Sequence, residues 1–442
     1  MSTAGDPLAA FLEAATWHGT LESAEALLAS HPELAGSSIH AAAVLGDDAA
    51  VRRFLAQEPE SVRAAAAPYG GDALNYLCLS KYLRLDPART DGFLRAATAL
   101  LDAGADPNTG FWTTGEHPER ETALYGAAGV AHHAALTRLL LERGADPNDV
   151  EAVYHSPESY DNDAMKLLVE TGRMTPEHFA LMLIRKHDWH DYDGATWLLE
   201  HGAEPNRERQ RGWLPLHHAL ARDNSLATIA LLLDHGADPS IVKRGMTAIA
   251  RAAGEGRGDV LELFEQRGVP LALHGVDRLI AACARGDGAA ARAIAAGEPG
   301  LVGEVLAVGG ELLARFGGTG NPPGVRALLD LGVPVAAPFV AGDGYWGIPP
   351  NSLAIHVAAW RGQPAVVRVL LERGSPVDVA DANGRTPLAL AVRACVDSYW
   401  TELRTPASVQ ALLEAGASAD CVAFPSGYGE VDDLLRRHRR DA

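Results

Sequence analysis

The chain has 442 residues, and its 38 Lys and Arg stand against 57 Asp and Glu, a net charge of −19. Such a balance excludes a phosphate backbone as the principal partner, so no nucleic acid is expected. The four cysteines (Cys78, Cys283, Cys395 and Cys421) are scattered without a CxxC pair and read as small buried hydrophobes in a reducing compartment. No basic, apolar leader and no apolar run of membrane length is present, which gives the expectation of a soluble cytoplasmic protein with no membrane contact. The richness in Ala, Gly and Arg suggests a GC-rich bacterial source.

In chain order, helix pairs are expected to begin near Leu8, Ser38, Asp72, Glu121, Val150, His178, Trp213, Gly245, Val276, Val308, Ser352 and Gly384. The first two end in His31-Pro32-Glu33-Leu34 and Glu58-Pro59-Glu60. From the third onward one phrase returns. It reads LLDAGADPN to Asn108, LLLERGADPN to Asn148, LLEHGAEPN to Asn206, LLLDHGADPS to Ser240, LLERGSPVD to Asp378 and LLEAGASAD to Asp420. Its glycines are Gly104, Gly144, Gly172, Gly202, Gly236, Gly268, Gly297, Gly332, Gly374 and Gly416. They span 312 residues in nine steps, about 35 per step, and a fixed period of this length means stacked repeats. Gly ends a Leu-rich helix in a left-handed conformation, and Asp-Pro opens the turn to the next unit.

A second signal precedes each phrase: Glu121-Thr122-Ala123-Leu124, Leu214-Pro215-Leu216-His217, Met246-Thr247-Ala248-Ile249, Leu353-Ala354-Ile355-His356 and Arg385-Thr386-Pro387-Leu388. Thr caps a helix start and Pro is tolerated in its first turn. The two signals at this offset resemble the Thr-Pro-Leu-His-x-Ala and hairpin pattern of ankyrin repeats. The resemblance covers nearly the whole chain. It implies an all-α solenoid of about twelve stacked helix pairs with short β-hairpin or loop connections, curved with a concave face. One solenoid over 1–442 is expected, with a possible joint near 245–323. In the family the hairpin tips and inner helices form the concave binding surface, and His40, His217 and His356 fall at a structural position.

Departures from the pattern supply the candidate site residues. Two hairpin regions are long and aromatic, one with Phe111 and Trp112, the other with Tyr345 and Trp346, and could anchor or cover a ligand or plug gaps in their own repeats. Gly46-Asp47 and Glu58-Pro59 recur 240 positions later as Gly286-Asp287 and Glu298-Pro299, which suggests an internal duplication. The unit after Val150 is short, and the stub of its inner helix would leave a notch lined by His155, Glu158 and Tyr160. His and Glu within reach of each other could do acid–base work; alternatively His155 is the family's structural histidine. Trp17, His18, Arg222, Arg285, Trp360 and Arg361 occupy positions that face the cup by family resemblance, and Trp213 is a further ligand-binding candidate. Two stretched connections, from Lys81 to Gly92 and from Arg393 to Ser408, are expected to cover an edge away from it. The run His187-Asp188-Trp189-His190-Asp191 is expected to be a wet loop, with no metal and no cofactor. The leading expectation is a protein partner held on the concave face. The alternative is an apolar small molecule there, bound only or turned over by cofactor-independent hydrolysis, cyclisation or isomerisation with His155, Glu158, Tyr125 and Tyr160 as the reacting groups.

Overall fold

The computed structural model describes residues 6–208 and 213–441. The chain divides into two compact units, residues 1–219 with 234–236, and residues 220–233 with 237–442. Unit 1 opens with the pairs α1 (Pro7–Ala15) and α2 (Leu21–Ser30), then α3 (Ile39–Val44) and α4 (Asp48–Gln57). The third pair is α5 (Ala73–Cys78) with a connection that carries the short α6 (Lys81–Leu85), followed by α7 (Thr90–Asp102). A π-helical segment, Tyr125–Val130, pairs with α8 (Ala134–Glu142); α9 (Val150–His155) pairs with α10 (Asp163–Glu170), and α11 (Pro176–Asp188) with α12 (Tyr192–Glu200).

The division passes through the seventh pair, α13 (Pro215–Ala221) and α14 (Leu226–Asp234). Unit 2 continues with α15 (Ala248–Gly254) and α16 (Gly258–Gln266), then α17 (Val276–Ala284) and α18 (Gly288–Gly297), and an extra helix α19 (Gly300–Ala307). After it come α20 (Gly309–Gly318) and α21 (Pro322–Asp330), α22 (Ala354–Trp360) and α23 (Pro364–Glu372), α24 (Pro387–Asp397) and α25 (Ala407–Glu414), and a last helix α26 (Gly429–Asp441). The helix pairs begin where the two sequence signals place them.

The local chemistry is as expected. Thr386 caps α24 by accepting from the Ala389 amide, with Pro387 in the first turn. Nine of the ten ruler glycines have positive φ, from 66° at Gly172 to 103° at Gly202 and Gly332. Gly297 is the exception: it is the last residue of α18, and the chain runs on through Glu298-Pro299 into α19 instead of a hairpin. Small residues let the layers approach closely. A Cβ on Gly92 would lie 2.4 Å from the Gly46 carbonyl oxygen, and one on Gly126 would lie 2.7 Å from the Cys78 backbone.

Both aromatic inserts fold as antiparallel hairpins. In unit 1, β1 (Gly110–Trp112) pairs with β2 (Arg120–Thr122), with Phe111 opposite Glu121 and Trp112 opposite Arg120. In unit 2, β3 (Pro338–Phe339) pairs with β4 (Ser352–Leu353). The period-2 geometry of a strand separates neighbours. Phe111 is buried, whereas Trp112 is 64% exposed.

A plain repeat stack lets each unit touch only its neighbours. Here contacts skip a layer in both units. The Trp17 amide, in the first pair, donates to the Leu79 carbonyl in the third at 2.9 Å. In unit 2, Asn321 donates to the carbonyls of Gly256 (2.7 Å) and Ala284 (2.6 Å), and the Thr319 hydroxyl donates to that of Glu255 (3.0 Å), joining the tenth pair to the eighth. The skipped pairs are the two that end in Glu-Pro, with Gly46 at φ 68° and Gly286 at φ 69° in their turns. A helical turn at Pro59–Arg63 follows the first of these and α19 the second.

Candidate functional site

In unit 1 the ends of the inner helices bring several of the sequence candidates together. Trp17 closes α1 in the left-handed region (φ 46°), a conformation uncommon for a bulky residue. Its indole N–H donates to the Tyr125 hydroxyl at 3.2 Å. Its ring meets Tyr69 and Phe111 edge-on at 5.7 and 5.8 Å, and those two stack at 5.0 Å. His18 lies against Trp17 at 4.1 Å. Tyr125 is buried, which pushes its phenol up to about 12, and its ring stands 5.3 Å from His155.

His155 is not a backbone-bound structural histidine. Its Nδ1 lies 2.8 Å from Glu158 and its Nε2 lies 3.5 Å from Glu151. Burial alone would lower its pKa, but the two carboxylates outweigh burial and bring it up to about 9. It is therefore an imidazolium at neutral pH and has no lone pair with which to act as a base. The chain of charges continues: Glu158 also holds Arg185, whose guanidinium lies 4.1 Å over Tyr154 and pairs with Asp188, and His218 donates to Asp188 at 2.7 Å. Trp213 packs edge-on against His218 at 5.1 Å. Glu121, facing inward from β2, is the group suited to proton exchange near neutrality. Burial, then the charge of Glu151, pushes its carboxyl up to about 7, and its Oε2 has no hydrogen-bond partner. Tyr160 is exposed, and its hydroxyl donates to the Trp189 carbonyl at 3.0 Å.

Two of the histidines at the family position, His40 and His356, behave structurally. His40 donates to the Ala64 carbonyl (2.7 Å) and His356 to that of Val379 (2.9 Å), and burial lowers both pKa values. The expected wet loop after His187 is wet only in part: His190, Tyr192 and Asp193 are exposed, while other members of the run are packed inside. Lys186, His187 and Asp191 are buried, Lys186 binds Asp191 at 2.8 Å, and Asp191 also caps α12 through the Gly194 amide. Burial drives His187 down to about 3. Cys421 is exposed, unlike the other three cysteines. Among the described residues no three His, Cys, Asp or Glu side chains group around a metal-sized site.

In unit 2 the insert between β3 and β4 lies on an aromatic cluster. The Trp360 indole donates to the Trp346 carbonyl at 2.8 Å, and Trp400 packs against both rings, at 5.1 Å from Trp346 and 5.3 Å from Trp360. The stretched connection from Arg393 to Ser408 thus supplies a half-buried ring to this cluster and does not merely cover an edge, while Tyr399 and Leu403 stay in solvent. Arg361 sits 3.4 Å over Trp346 and donates to Asp223 at 2.7 Å, while the second oxygen of Asp223 takes Arg257 at 3.0 Å. Arg222 lies 3.9 Å over Tyr345. Trp360 and Arg361, expected at a ligand-facing surface, are buried by these partners.

Tyr69, Lys186, Asp223, Arg257 and Trp400 had no motif to announce them, and Glu121 stood in the repeat signature without any mark of its titration. One signal was available for Asp223. The turn between paired helices uses a left-handed glycine at Gly46, Gly256, Gly286, Gly320 and Gly362, and Trp17, His132, His190 and Asp223 stand at that place with positive φ. A side chain kept in a glycine conformation marks a position held by surrounding structure.

Comparison with known proteins agrees with this architecture. Residues 178–271 match a family model of ankyrin repeats (3 copies), and residues 347–391 match one of ankyrin repeats (many copies). The chain is an ankyrin-repeat protein. It is 48% identical over 59 residues to the human (Homo sapiens) BCL-6 corepressor-like protein 1, a match that covers 13% of this chain and 3% of that protein. It is also similar to the human ASB11 ankyrin repeat domain, at 24% identity and a TM-score of 0.38, over 48% of this chain and 89% of that domain. Ankyrin repeats generally mediate protein–protein interaction. No helix among the described residues is long and apolar enough to cross a membrane.

Proposed function

We propose that this chain binds a protein partner on the face built from its hairpin tips and inner helices, with the tips making the principal contact. One observation carries the reading: Trp112, 64% exposed, on a hairpin whose neighbouring Phe111 is locked into the core. A large aromatic held out on a rigid support loses little entropy on binding and is the residue type most enriched at interface hot spots. Val150, at the start of the next helix pair, is 58% exposed and extends the apolar contact beyond Trp112. Unit 2 repeats the arrangement with exposed Val242 and Val340 at its hairpin positions. The inner helix ends are less available, since Trp17, Tyr125 and Phe111 in unit 1 and Trp346, Trp360 and Arg361 in unit 2 occupy one another. The net charge of −19 favours a protein over a nucleic acid.

The test is site-specific photo-crosslinking in the native host, with a benzophenone side chain at Trp112, at Val150 and, as control, at the exposed Leu226 on the outer helix of the seventh pair. One protein crosslinked from the two hairpin positions and absent from the control is the expected result. Crosslinks of equal strength from all three positions, or none from the hairpins, would remove the reading.

A further inference from the structure

The first helix pair borders an open groove of about 400 Å³ that the hairpin surface does not involve. Ala10 and Ala14 on α1 and Leu27 on α2 give it aliphatic walls, Tyr69 closes one side, and Glu13 and His18 stand at its exposed rim. The polar groups of the α1–α2 turn are already used: the Thr20 hydroxyl donates to Ser23 at 2.8 Å and accepts from the Ser23 amide at 3.2 Å. His18 is stacked on Trp17. Glu13 differs. Among the described residues its carboxylate has no hydrogen bond and no ion pair, and it is the only acidic side chain lining the groove. Its charge is felt at Tyr69, where burial first and then Glu13 raise the phenol, so the carboxylate and the ring share the same space.

We propose that this groove is a binding site for a small organic amine, an ammonium group joined to an apolar body. The ammonium answers Glu13 by a charge-assisted hydrogen bond and lies against the Tyr69 ring, while the body covers Ala10, Ala14 and Leu27. An anion would face Glu13 without a counter-charge. A neutral apolar ligand would strip water from a carboxylate and return nothing. A metal ion would find only Glu13 and His18 as ligating side chains, short of the three that a protein metal site supplies. The volume falls within the range of small-molecule sites, about 300–1,000 Å³, and the lining joins the apolar Ala10, Ala14, Leu27 and Tyr69 to a single carboxylate.

Calorimetric titration of the full chain with phenethylamine, 2-phenylethanol and phenylacetate separates the cases, because the three share a body and differ in charge. Phenethylamine is expected to bind about tenfold or more tightly than the alcohol, with no detectable binding of the acid. Glu13→Gln should bring the amine to the level of the alcohol, and Ala10→Phe, which fills the groove, should abolish binding of both; circular dichroism checks that each variant keeps the helix content of the parent. Equal affinity for amine and alcohol, an unchanged amine affinity in Glu13→Gln, or no amine binding up to about 10 mM would each overturn the proposal. Crosslinking at Trp112 is independent of all these outcomes.

Discussion

Units 1 and 2 share a plan and close it with different chemistry. Each has a Glu-Pro-terminated pair that its neighbours reach across, then a less regular stretch, then an aromatic hairpin lying near the inner helix ends. In unit 1 the reach is made by neutral groups: the Trp17 amide to Leu79, the Trp17 indole to Tyr125, and stacked Tyr69 and Phe111. In unit 2 the neutral bonds of Asn321 and Thr319 are joined by charge, with Asp223 holding Arg257 and Arg361, and Glu255 holding Arg315 at 2.6 Å. The difference teaches that the repeat geometry fixes which positions meet, whereas the side chains placed there decide what the meeting depends on. A neutral closure is indifferent to pH and salt. A buried ionic closure is sensitive to loss of either partner, because the survivor is left charged and desolvated.

The largest expected effect therefore lies in unit 2. Asp223→Asn keeps a residue tolerant of positive φ but leaves the buried Arg361 and Arg257 without their shared counter-charge, at a cost of about 3–5 kcal/mol. Hydrogen exchange should quicken in the segment 343–361 and remain unchanged in the segment 7–57. If the two segments respond alike, or neither responds, the ionic latch is not what holds unit 2. Next is Phe111→Ala in unit 1, which empties the space under the hairpin and should cost about 3–4 kcal/mol, read as a loss of thermal stability that salt does not alter. A strong salt dependence would show that unit 1 also relies on charge.

Glu121→Gln should act in the opposite sense. The folded carboxyl titrates near 7, above its ordinary 4.5, so between these values the folded chain holds a proton that the unfolded chain has released. Stability is then lost as pH rises from about 4.5 to about 7, and the amide should recover up to about 3 kcal/mol at pH 8 while gaining little at pH 4.5. His155, raised to about 9 by Glu151 and Glu158, contributes stability that is full below about 6.5 and is lost as pH rises through 9. His155→Gln should flatten that upper limb of a melting-temperature profile. A profile flat between pH 5 and 9 in the parent would contradict both assignments. The smallest effect on stability, within about 0.5 kcal/mol, is expected for Trp112→Ala, whose ring touches solvent; the same variant should lose partner crosslinking at Val150.

How much of this was legible depended on the distance over which each feature acts. The hairpin phrase was readable because a left-handed Gly and the turn after it are local, and Gly297 was misread only because the local pattern does not say whether a hairpin or another helix follows. The pairing of His155 with Glu158 was readable because the two lie three residues apart across the tight turn that follows α9. The buried Lys186–Asp191 pair was missed because a charged run reads as a wet loop unless the neighbouring layer, here Asn162 and the Ser159 carbonyl, is known to cover it.

The amino-acid sequence alone determined the repeat, the helix pairs, their caps and the two aromatic inserts, since each arises from interactions within a few residues. Only the tertiary structure decided that Trp17 meets Tyr125 across 108 residues, that Asp223 meets Arg361 across 138, and that Trp400 covers Trp360. Such pairings depend on how far each layer leans toward the next, and that lean comes from summed packing over whole helices, which no short stretch of residues encodes.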